Sequence, residues 1–363
     1  MLLTPLDLGP LTLPNRAWMA PLTRSRHQDT IPHPLAPTYY AQRASAGLIV
    51  SEATQVTPRG QGYPNTPGIH SDAQVEAWRR VTDAVHAAGG RIVCQLWHVG
   101  RVSHSAYHDG EPPLAPSAIA ASGKAMLPDF SMTPFETPRA MTEAEIDETI
   151  RQFAEGAERA REAGFDGVEV HGANGYLIEQ FLSTSSNQRS DGYGGSASNR
   201  VRFLDDVVGA VVRVWSPERT GVRLSFGQGA NGATDDNPEE TFGLVAERLA
   251  AHGVAYVHGI VPGEDSGFDA LRTLRNGYSG VVVANGGIDR EKGEAILAER
   301  RADAIAFGRP WLANPDLLVR FEAQANGLEA PLNEADSSTY YGGGAKGYTD
   351  YPLWDGTEAG SGS

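Results

Sequence analysis

Residues 142–172 read TEAEIDETIRQFAEGAERAREAGFDGVEVHG. Thr142-Glu143-Ala144-Glu145 is a capping box, in which a hydroxyl at the N-cap and a carboxylate three residues later each satisfy a free backbone N–H. Ile146, Ile150, Phe153, Ala157 and Ala160 then recur at helical spacing, and Gly164 stops the helix. The short run Gly167–Val170 follows at once, with the length and composition of a strand buried on both faces. Helix, glycine stop and buried strand make one α/β unit.

The same unit extends outward in both directions. Short apolar runs stand at Ala17–Ala20, Leu48–Ala53, Ile92–Trp97, Gly167–Val170, Val222–Phe226, Ala255–Val257, Val281–Ala284 and Ala304–Phe307. Helix signals lie between them. Ser71-Asp72-Ala73-Gln74 is a second capping box, leading to Val75, Trp78, Val81 and Val85 on one face and a stop at Gly89-Gly90. Asn237-Pro238 opens a third helix, with proline at the first position, where its missing N–H costs least. Asn314-Pro315-Asp316 has the same form ahead of Leu317, Leu318 and Phe321. Eight strands alternating with helices predict the α/β class and a closed parallel (β/α)8 barrel, the TIM barrel, rather than an open sheet.

Three stretches break the alternation. Residues 1–14 read as a β-hairpin that plugs the N-terminal mouth of the barrel. Residues 101–140, rich in Pro, Ser, Ala and Gly, form a long insertion after strand 3, of the kind that serves as a lid or cap. Residues 356–363 are expected to be disordered. Nothing else divides the 363 residues, so a single domain spanning 1–363 is expected.

Composition narrows the function. Acidic residues outnumber basic ones 45 to 30, and a net charge of −15 disfavours nucleic acid and anionic membrane surfaces as partners. Cys94 is the only cysteine, which excludes an internal disulfide and any four-thiolate iron–sulfur or zinc site. No basic leader with an apolar run and no membrane-length apolar stretch is present, so a cytoplasmic compartment is expected.

Barrel enzymes place their chemistry at the C-terminal ends of the strands. After strand 1 stands Pro21-Leu22-Thr23-Arg24. Strand 3 carries Gln95 and Trp97 and runs into His98. After strand 4 comes His171-Gly172-Ala173-Asn174-Gly175-Tyr176, and strand 5 contains Arg223. Strand 7 ends in Asn285-Gly286-Gly287 and strand 8 in Gly308-Arg309-Pro310. Gly286, Gly287 and Gly308 permit close backbone approach, and Arg309 offers a fork for phosphate oxygens. The plainer alternative is that these glycines only make tight turns. His171 and Asn174 can donate to one carbonyl or nitro oxygen, with Tyr176 giving up a proton. Their plainer alternatives are a core histidine and an ordinary Asn-Gly turn. Arg223 inside an apolar strand calls for an anion, either a ligand or a structural carboxylate. His98, His171 and His258 near strand ends keep a metal-dependent hydrolase as the competing class. The His-x-His pair that such barrels place after strand 1 is missing, where this chain reads Ala20-Pro21-Leu22-Thr23.

The segments APLTR (20–24), EATQVTPRGQGYPNTPGIHS (52–71), QLWHVGR (95–101), EVHGANGYLIEQFLSTSSNQRSDGYGGS (169–196), VRLSF (222–226), NGGI (285–288), FGRPWLANPDL (307–317) and YYGGGAKGYTDYP (340–352), in this order, resemble the Old Yellow Enzyme family of FMN-dependent ene-reductases. The resemblance implies tightly bound, non-covalent FMN and a transient NADH or NADPH as hydride donor, with no metal. Thr23 would bond the flavin C4 oxygen, while Pro21, Leu22 and Ala53 would lie along the ring. Gln95 would meet the pyrimidine edge and Arg223 the N1/O2 side. Gly286, Gly287, Gly308 and Arg309 would hold the phosphate. His171 and Asn174 would grip the substrate's electron-withdrawing group, Tyr176 would protonate its α-carbon, and Tyr63, Trp97 and Tyr351 would shape the pocket. Threonine at 23 resembles the threonine-containing group rather than the branch with cysteine there. Implied substrates are α,β-unsaturated carbonyls and nitroalkenes, with nitrate esters and nitroaromatics as further candidates, for a monomer or homodimer. A sensory or storage flavoprotein is the non-catalytic alternative, and a proton donor at Tyr176 argues against it.

Overall fold

The structure, a computed structural model, describes residues 1–225, 229–261 and 266–356. Eight parallel strands close into a ring: β1 (Ala17–Met19), β2 (Ile49–Val50), β3 (Ile92–Trp97), β4 (Gly167–Gly172), β5 (Thr220–Ser225), β6 (Tyr256–Ile260), β7 (Val281–Asn285) and β8 (Ala304–Phe307). Each pairs with the next, and β8 returns to β1, so the barrel has no open edge. The second strand is broken. It stops at Val50 and resumes as Thr54–Gln55 beside Leu96–Trp97 of β3, leaving Glu52 and Ala53 in the gap.

Strand positions follow the sequence, but several ends do not. β4 runs two residues past Val170 to Gly172, and β6 runs three past Val257 to Ile260. The added residues include His171 and His258, which hydropathy assigns to a loop although ladder hydrogen bonds hold them in the sheet. Phe226, expected at the end of strand 5, lies outside the described residues, as do residues 357–363 of the expected disordered tail.

The hairpin forms from Leu6–Leu8 and Leu11–Leu13. Its Leu6, Leu8 and Leu13 join Trp18, Leu48, Val50, Val93, Tyr256, Val283, Ala304 and Ala306 in a buried cluster that fills the N-terminal end of the lumen. A bottom plugged in this way leaves the opposite end of the barrel to receive a ligand.

Outside the sheet, the helix Glu143–Glu162 starts at the expected capping box, with Glu145 N–H donating to the Thr142 side chain. It buries Ile146, Phe153, Ala157 and Ala160, and each large apolar side chain so buried contributes about 1.5–3 kcal/mol. The Ser71/Gln74 box likewise opens the helix Asp72–Ala87. The third helix starts at Pro238 as expected and the fourth starts late. Asn237 precedes Pro238 as read, but its amide donates to Glu240 instead of capping. The last long helix begins only at Leu317, because Asn314 is spent on Pro310 O and on Asn333 N–H, outside the helix.

The 101–140 insertion carries two small strand pairs, Leu114–Ala115 with Arg139–Ala140 and Lys124–Met126 with Met132–Pro134. It delivers Ala121 and Phe135 onto a cluster built around Ala53 and Trp97 at the C-terminal end of the barrel. The insertion is a cap over that end.

Candidate active site

At the end of β4 the chain makes a tight turn through Ala173-Asn174-Gly175-Tyr176. Asn174 has φ +59° and Gly175 φ +73°, conformations that asparagine tolerates and glycine favours. A Cβ on Gly175 would meet Ala230 O at 2.1 Å, so only glycine fits there. Neighbouring side chains hold the turn through its main chain. Asn174 N–H donates to Ser225 Oγ (2.8 Å), Asn231 donates to Asn174 O (2.9 Å), Gly175 N–H donates to Glu179 (2.6 Å), and Gln180 donates to Gly175 O (2.7 Å). Every main-chain demand is met elsewhere, and the Asn174 side-chain amide has no protein partner among the described residues.

His171 sits one strand residue earlier and is buried. Its Nδ1 accepts the Ala173 N–H at 3.3 Å, which assigns the neutral tautomer with a hydrogen on Nε2. Burial pushes its pKa well below the ordinary histidine value, with Arg223 and His258 adding to the effect. The imidazole is thus a neutral donor at working pH. Tyr176 stands edge-on to it, with ring centroids 5.1 Å apart at 84°, and edge-on to Trp97 at 5.1 Å and 79°. Tyr63 stacks on Trp97 and receives the Tyr176 hydroxyl at 3.2 Å. Burial raises the Tyr176 pKa well above 10, with Tyr63 adding to it, so the phenol keeps its proton. Tyr63, Trp97, His171 and Tyr176 therefore come together as an aromatic box, capped by Phe135 from the insertion.

Below the box, polar side chains line the lumen. Gln95 Nε2 donates to Glu169 Oε1 at 2.7 Å, His258 Nδ1 lies 2.9 Å from Glu169 Oε2, and Arg223 donates to Asn285 Oδ1 at 2.9 Å. Gln95 Oε1, Arg223 Nε and His258 Nε2 are all buried without a protein partner among the described residues. Buried polar atoms of that kind are costly, and three of them in one layer mark a ligand surface. Beside them, a cleft of about 1290 Å³ is lined by Leu22, Gly286, Gly287, Gly308 and Arg309. A Cβ on Gly287 would meet nothing, and one on Gly308 only Leu22 at 3.4 Å, so both backbones border open space. Arg309 is exposed along this cleft and carries no ion pair among the described residues. A planar ring with a donor edge, an electron-rich end and a phosphate tail fits this set, as FMN requires.

The Pro21–Thr23 segment is held from behind. Glu52, in the gap of the second strand, accepts the Arg24 N–H at 3.1 Å and the Tyr40 hydroxyl at 3.2 Å, with His27 Nε2 at 2.7 Å. Arg24 and Arg26 then donate to the main-chain carbonyls of Thr339, Tyr340, Gly344, Lys346 and Gly347, which straps the C-terminal segment down. Arg24 also lies 5.3 Å from the ring centres of both Tyr39 and Tyr348. Tyr351 is half-buried, and its hydroxyl accepts the Asp336 N–H at 3.1 Å. The neighbouring Tyr341, which the sequence did not single out, is close enough to help raise the Tyr63 and Tyr176 phenols. Phe135, Glu169 and Glu179 were missed as well. Glu169 was legible as a carboxylate amid the apolar residues of β4.

The three histidines of the metal alternative are engaged separately: His258 with Glu169, His171 in the aromatic box, and His98 through Gly100 N–H, which donates to its Nδ1 at 3.0 Å. Burial lowers His98 to about 3 and His108 to about 4. Their folded pKa values lie below the unfolded value near 6.5, so the stability they contribute is present above pH ~6.5 and is lost as pH falls through that value. Each should cost roughly 2 kcal/mol by pH 5. Thermal unfolding at pH 7.5 and pH 5 should show a smaller acid loss for His98→Gln than for the parent. Equal losses would remove His98 from the account.

A family model described as the NADH:flavin oxidoreductase / NADH oxidase family matches residues 1–327. The 12-oxophytodienoate reductase 1 of Oryza sativa subsp. japonica is 43% identical over 362 residues, covering 97% of this chain and 93% of its own. The 12-oxophytodienoate reductase 2 of Arabidopsis thaliana is 42% identical over 369 residues, covering 98% and 96%. Among solved structures, morphinone reductase in complex with tetrahydroNAD is similar with a TM-score of 0.92 at 48% identity, covering 98% of each chain. The old yellow enzyme homologue from Zymomonas mobilis gives 0.92 at 43% identity, covering 97% and 99%.

Proposed function

The chain belongs to the NADH:flavin oxidoreductase / NADH oxidase family, within its Old Yellow Enzyme group, and on that premise we propose that it reduces α,β-unsaturated carbonyls and nitroalkenes with Tyr176 as the proton donor. It is an NAD(P)H-dependent flavin oxidoreductase acting on alkenes. When bound, FMN supplies the hydride relay between nicotinamide and alkene. Gln95 and Arg223 would receive the ring, with Pro21, Leu22, Thr23 and Ala53 along it, and Gly286, Gly287, Gly308 and Arg309 would hold the phosphate.

The observation that supports the substrate class is a neutral His171 followed three residues later by Asn174, whose side-chain amide has no partner among the described residues, with a phenol that keeps its proton edge-on to His171. Two donors converging on one oxygen stabilise the negative charge that grows there as hydride reaches the β-carbon. Tyr176, on the same side, then delivers its proton to the α-carbon, and the hydrogen bond to Tyr63 offers a path for reprotonation. Trp97, Tyr63 and Tyr351 shape the pocket. We place the enzyme in the cytoplasm as a monomer or homodimer, with NADH or NADPH entering the same pocket as the alkene; tetrahydroNAD bound to morphinone reductase supports a nicotinamide site of this kind.

The test is direct. Purified protein should be yellow, bleach anaerobically with NADH or NADPH, and regain colour with 2-cyclohexenone. A bleached enzyme that 2-cyclohexenone and a nitroalkene both leave reduced would remove the alkene assignment. Arg309→Ala should release FMN more readily, since a charge-assisted bond to phosphate contributes roughly 1.5–3 kcal/mol, or about 10- to 150-fold in affinity. Unchanged FMN affinity by fluorescence titration would place the phosphate elsewhere.

A further inference from the structure

We propose that Glu169 is a positioning residue for the flavin bed: it orients Gln95 and offsets Arg223, and so sets how readily the bound flavin is reduced. The proposal rests on the FMN assignment above. It starts from a carboxylate that is fully buried in the barrel lumen. Gln95 from β3 donates to one of its oxygens at 2.7 Å, and His258 from β6 contacts the other at 2.9 Å. His171 on β4, Arg223 on β5, Tyr256 on β6, Asn285 on β7 and Tyr176 after β4 are the other polar and titratable groups around it among the described residues. Burial pushes the Glu169 carboxyl up, but His258, Arg223 and Gln95 together outweigh it and hold the pKa below the ordinary range. Burial lowers the His258 pKa, against the Glu169 carboxylate, which raises it, and with Arg223 acting in the same direction as burial. The layer therefore sets the Glu169 carboxylate of β4 against the Arg223 guanidinium of the adjacent β5.

Two consequences follow. The first concerns Gln95. Its NH2 is spent on Glu169, and turning the amide over would set carbonyl against carboxylate. Its Oε1, buried and without a partner, is the end left for a ligand. A flavin's pyrimidine edge carries an N–H donor at N3, so a carboxylate behind Gln95 prepares the acceptor that this donor needs. The second concerns charge. Hydride transfer into the flavin adds one negative charge to the ring system, and Arg223 favours it. Glu169, equally buried, opposes it. In a low-dielectric lumen neither charge is screened by water, and the anion keeps the cation from holding the flavin reduced. The alkene half-reaction needs a flavin that gives its hydride up again.

The experiment uses holoprotein. Reductive titration against a reference dye gives the two-electron potential, and fluorescence titration of apoprotein gives FMN affinity. Glu169→Gln removes the charge and keeps the shape. The reduced-to-oxidised ratio at a fixed dye potential should rise at least tenfold, about 30 mV for this couple. Glu169→Asp keeps the charge and should stay within threefold of the parent. A Glu169→Gln shift below threefold overturns the proposal, and so does an equal shift in Glu169→Asp, since packing would then be the cause. If Glu169→Gln yields no holoprotein, Glu169→Asp decides the matter through affinity. Its shorter side chain draws the carboxylate away from Gln95, so FMN should bind at least tenfold more weakly, and unchanged affinity overturns the proposal. A parent protein that carries no flavin would instead overturn the FMN assignment on which this rests.

Discussion

Tyr176→Phe should slow reoxidation of the reduced enzyme by 2-cyclohexenone by roughly 10²- to 10⁴-fold, the usual worth of a positioned general acid, while leaving reduction by nicotinamide nearly intact. The substitution keeps the ring that packs edge-on to His171 and Trp97 and deletes only the hydroxyl that reaches Tyr63. Each tenfold loss is about 1.4 kcal/mol of barrier, so the expected loss is about 3–5 kcal/mol, all of it in one half-reaction. Nitroalkenes, whose product carbanion is stable enough to leave and be protonated in water, should suffer less. The pH profile carries a further sign. An acid acts below its pKa, and burial raises that of Tyr176 well above 10, so the alkene half-reaction should not lose rate to this group between pH 6 and 10. Stopped-flow traces of the two half-reactions decide the matter. Equal slowing of both would make Tyr176 a packing residue, and no slowing of either would assign the proton to water.

Removing both oxygen donors should have an effect of similar size on binding. His171→Ala combined with Asn174→Gly takes away two hydrogen bonds to an oxygen that bears charge, each contributing about 1.5–3 kcal/mol, or roughly 10²- to 10⁴-fold in affinity together. Glycine is the better choice at 174. The residue has φ +59°, where alanine would add about 1–2 kcal/mol of strain unrelated to the donors. The turn itself should survive, because Ser225, Asn231, Glu179 and Gln180 hold it through main-chain atoms. Para-hydroxybenzaldehyde should bind the parent as a phenolate and give a long-wavelength charge-transfer band. The double variant should retain its FMN and lose that band. A band of undiminished amplitude at the same phenol concentration would show that the oxygen is held by other groups.

Both experiments rest on residues that the sequence placed correctly at strand ends, and the reason is general. Glycine stops, capping boxes and short apolar runs are local signals, so β3 and β8 carry the boundaries their hydropathy predicts. Where a strand ends in polar residues that face the lumen, the local signal fails. His171 and His258 are polar in sequence yet buried in the ladder, Asn285 ends β7 half-buried, and that conflict points to the layer of the candidate site. Asn314 failed for the opposite reason: a good capping residue found better partners outside the helix. The cluster at 171–176 was legible because its residues are neighbours in the chain. The Glu169–Gln95–His258 group was not, since it joins three strands and only the register brings it together. Tyr341 and Phe135 depend on how a strap and an insertion fold over the barrel, which no periodicity encodes.

The way the strap is fastened bears on how this pocket can change over generations. Arg24 and Arg26 grip the carbonyls of Thr339, Tyr340, Gly344, Lys346 and Gly347, and every amino acid has a carbonyl. These hydrogen bonds do not constrain the side chains of the residues that accept them, although the ring of Tyr348 under both arginines and the left-handed Gly342, Gly343 and Gly347 are fixed for other reasons. Tyr341, which is exposed and takes no part in those bonds, can be exchanged while the attachment to the Thr23 region stays the same. The catalytic machinery on the rigid strands is then inherited unchanged while the roof above it is rewritten, one substitution at a time, to admit alkenes of different shape.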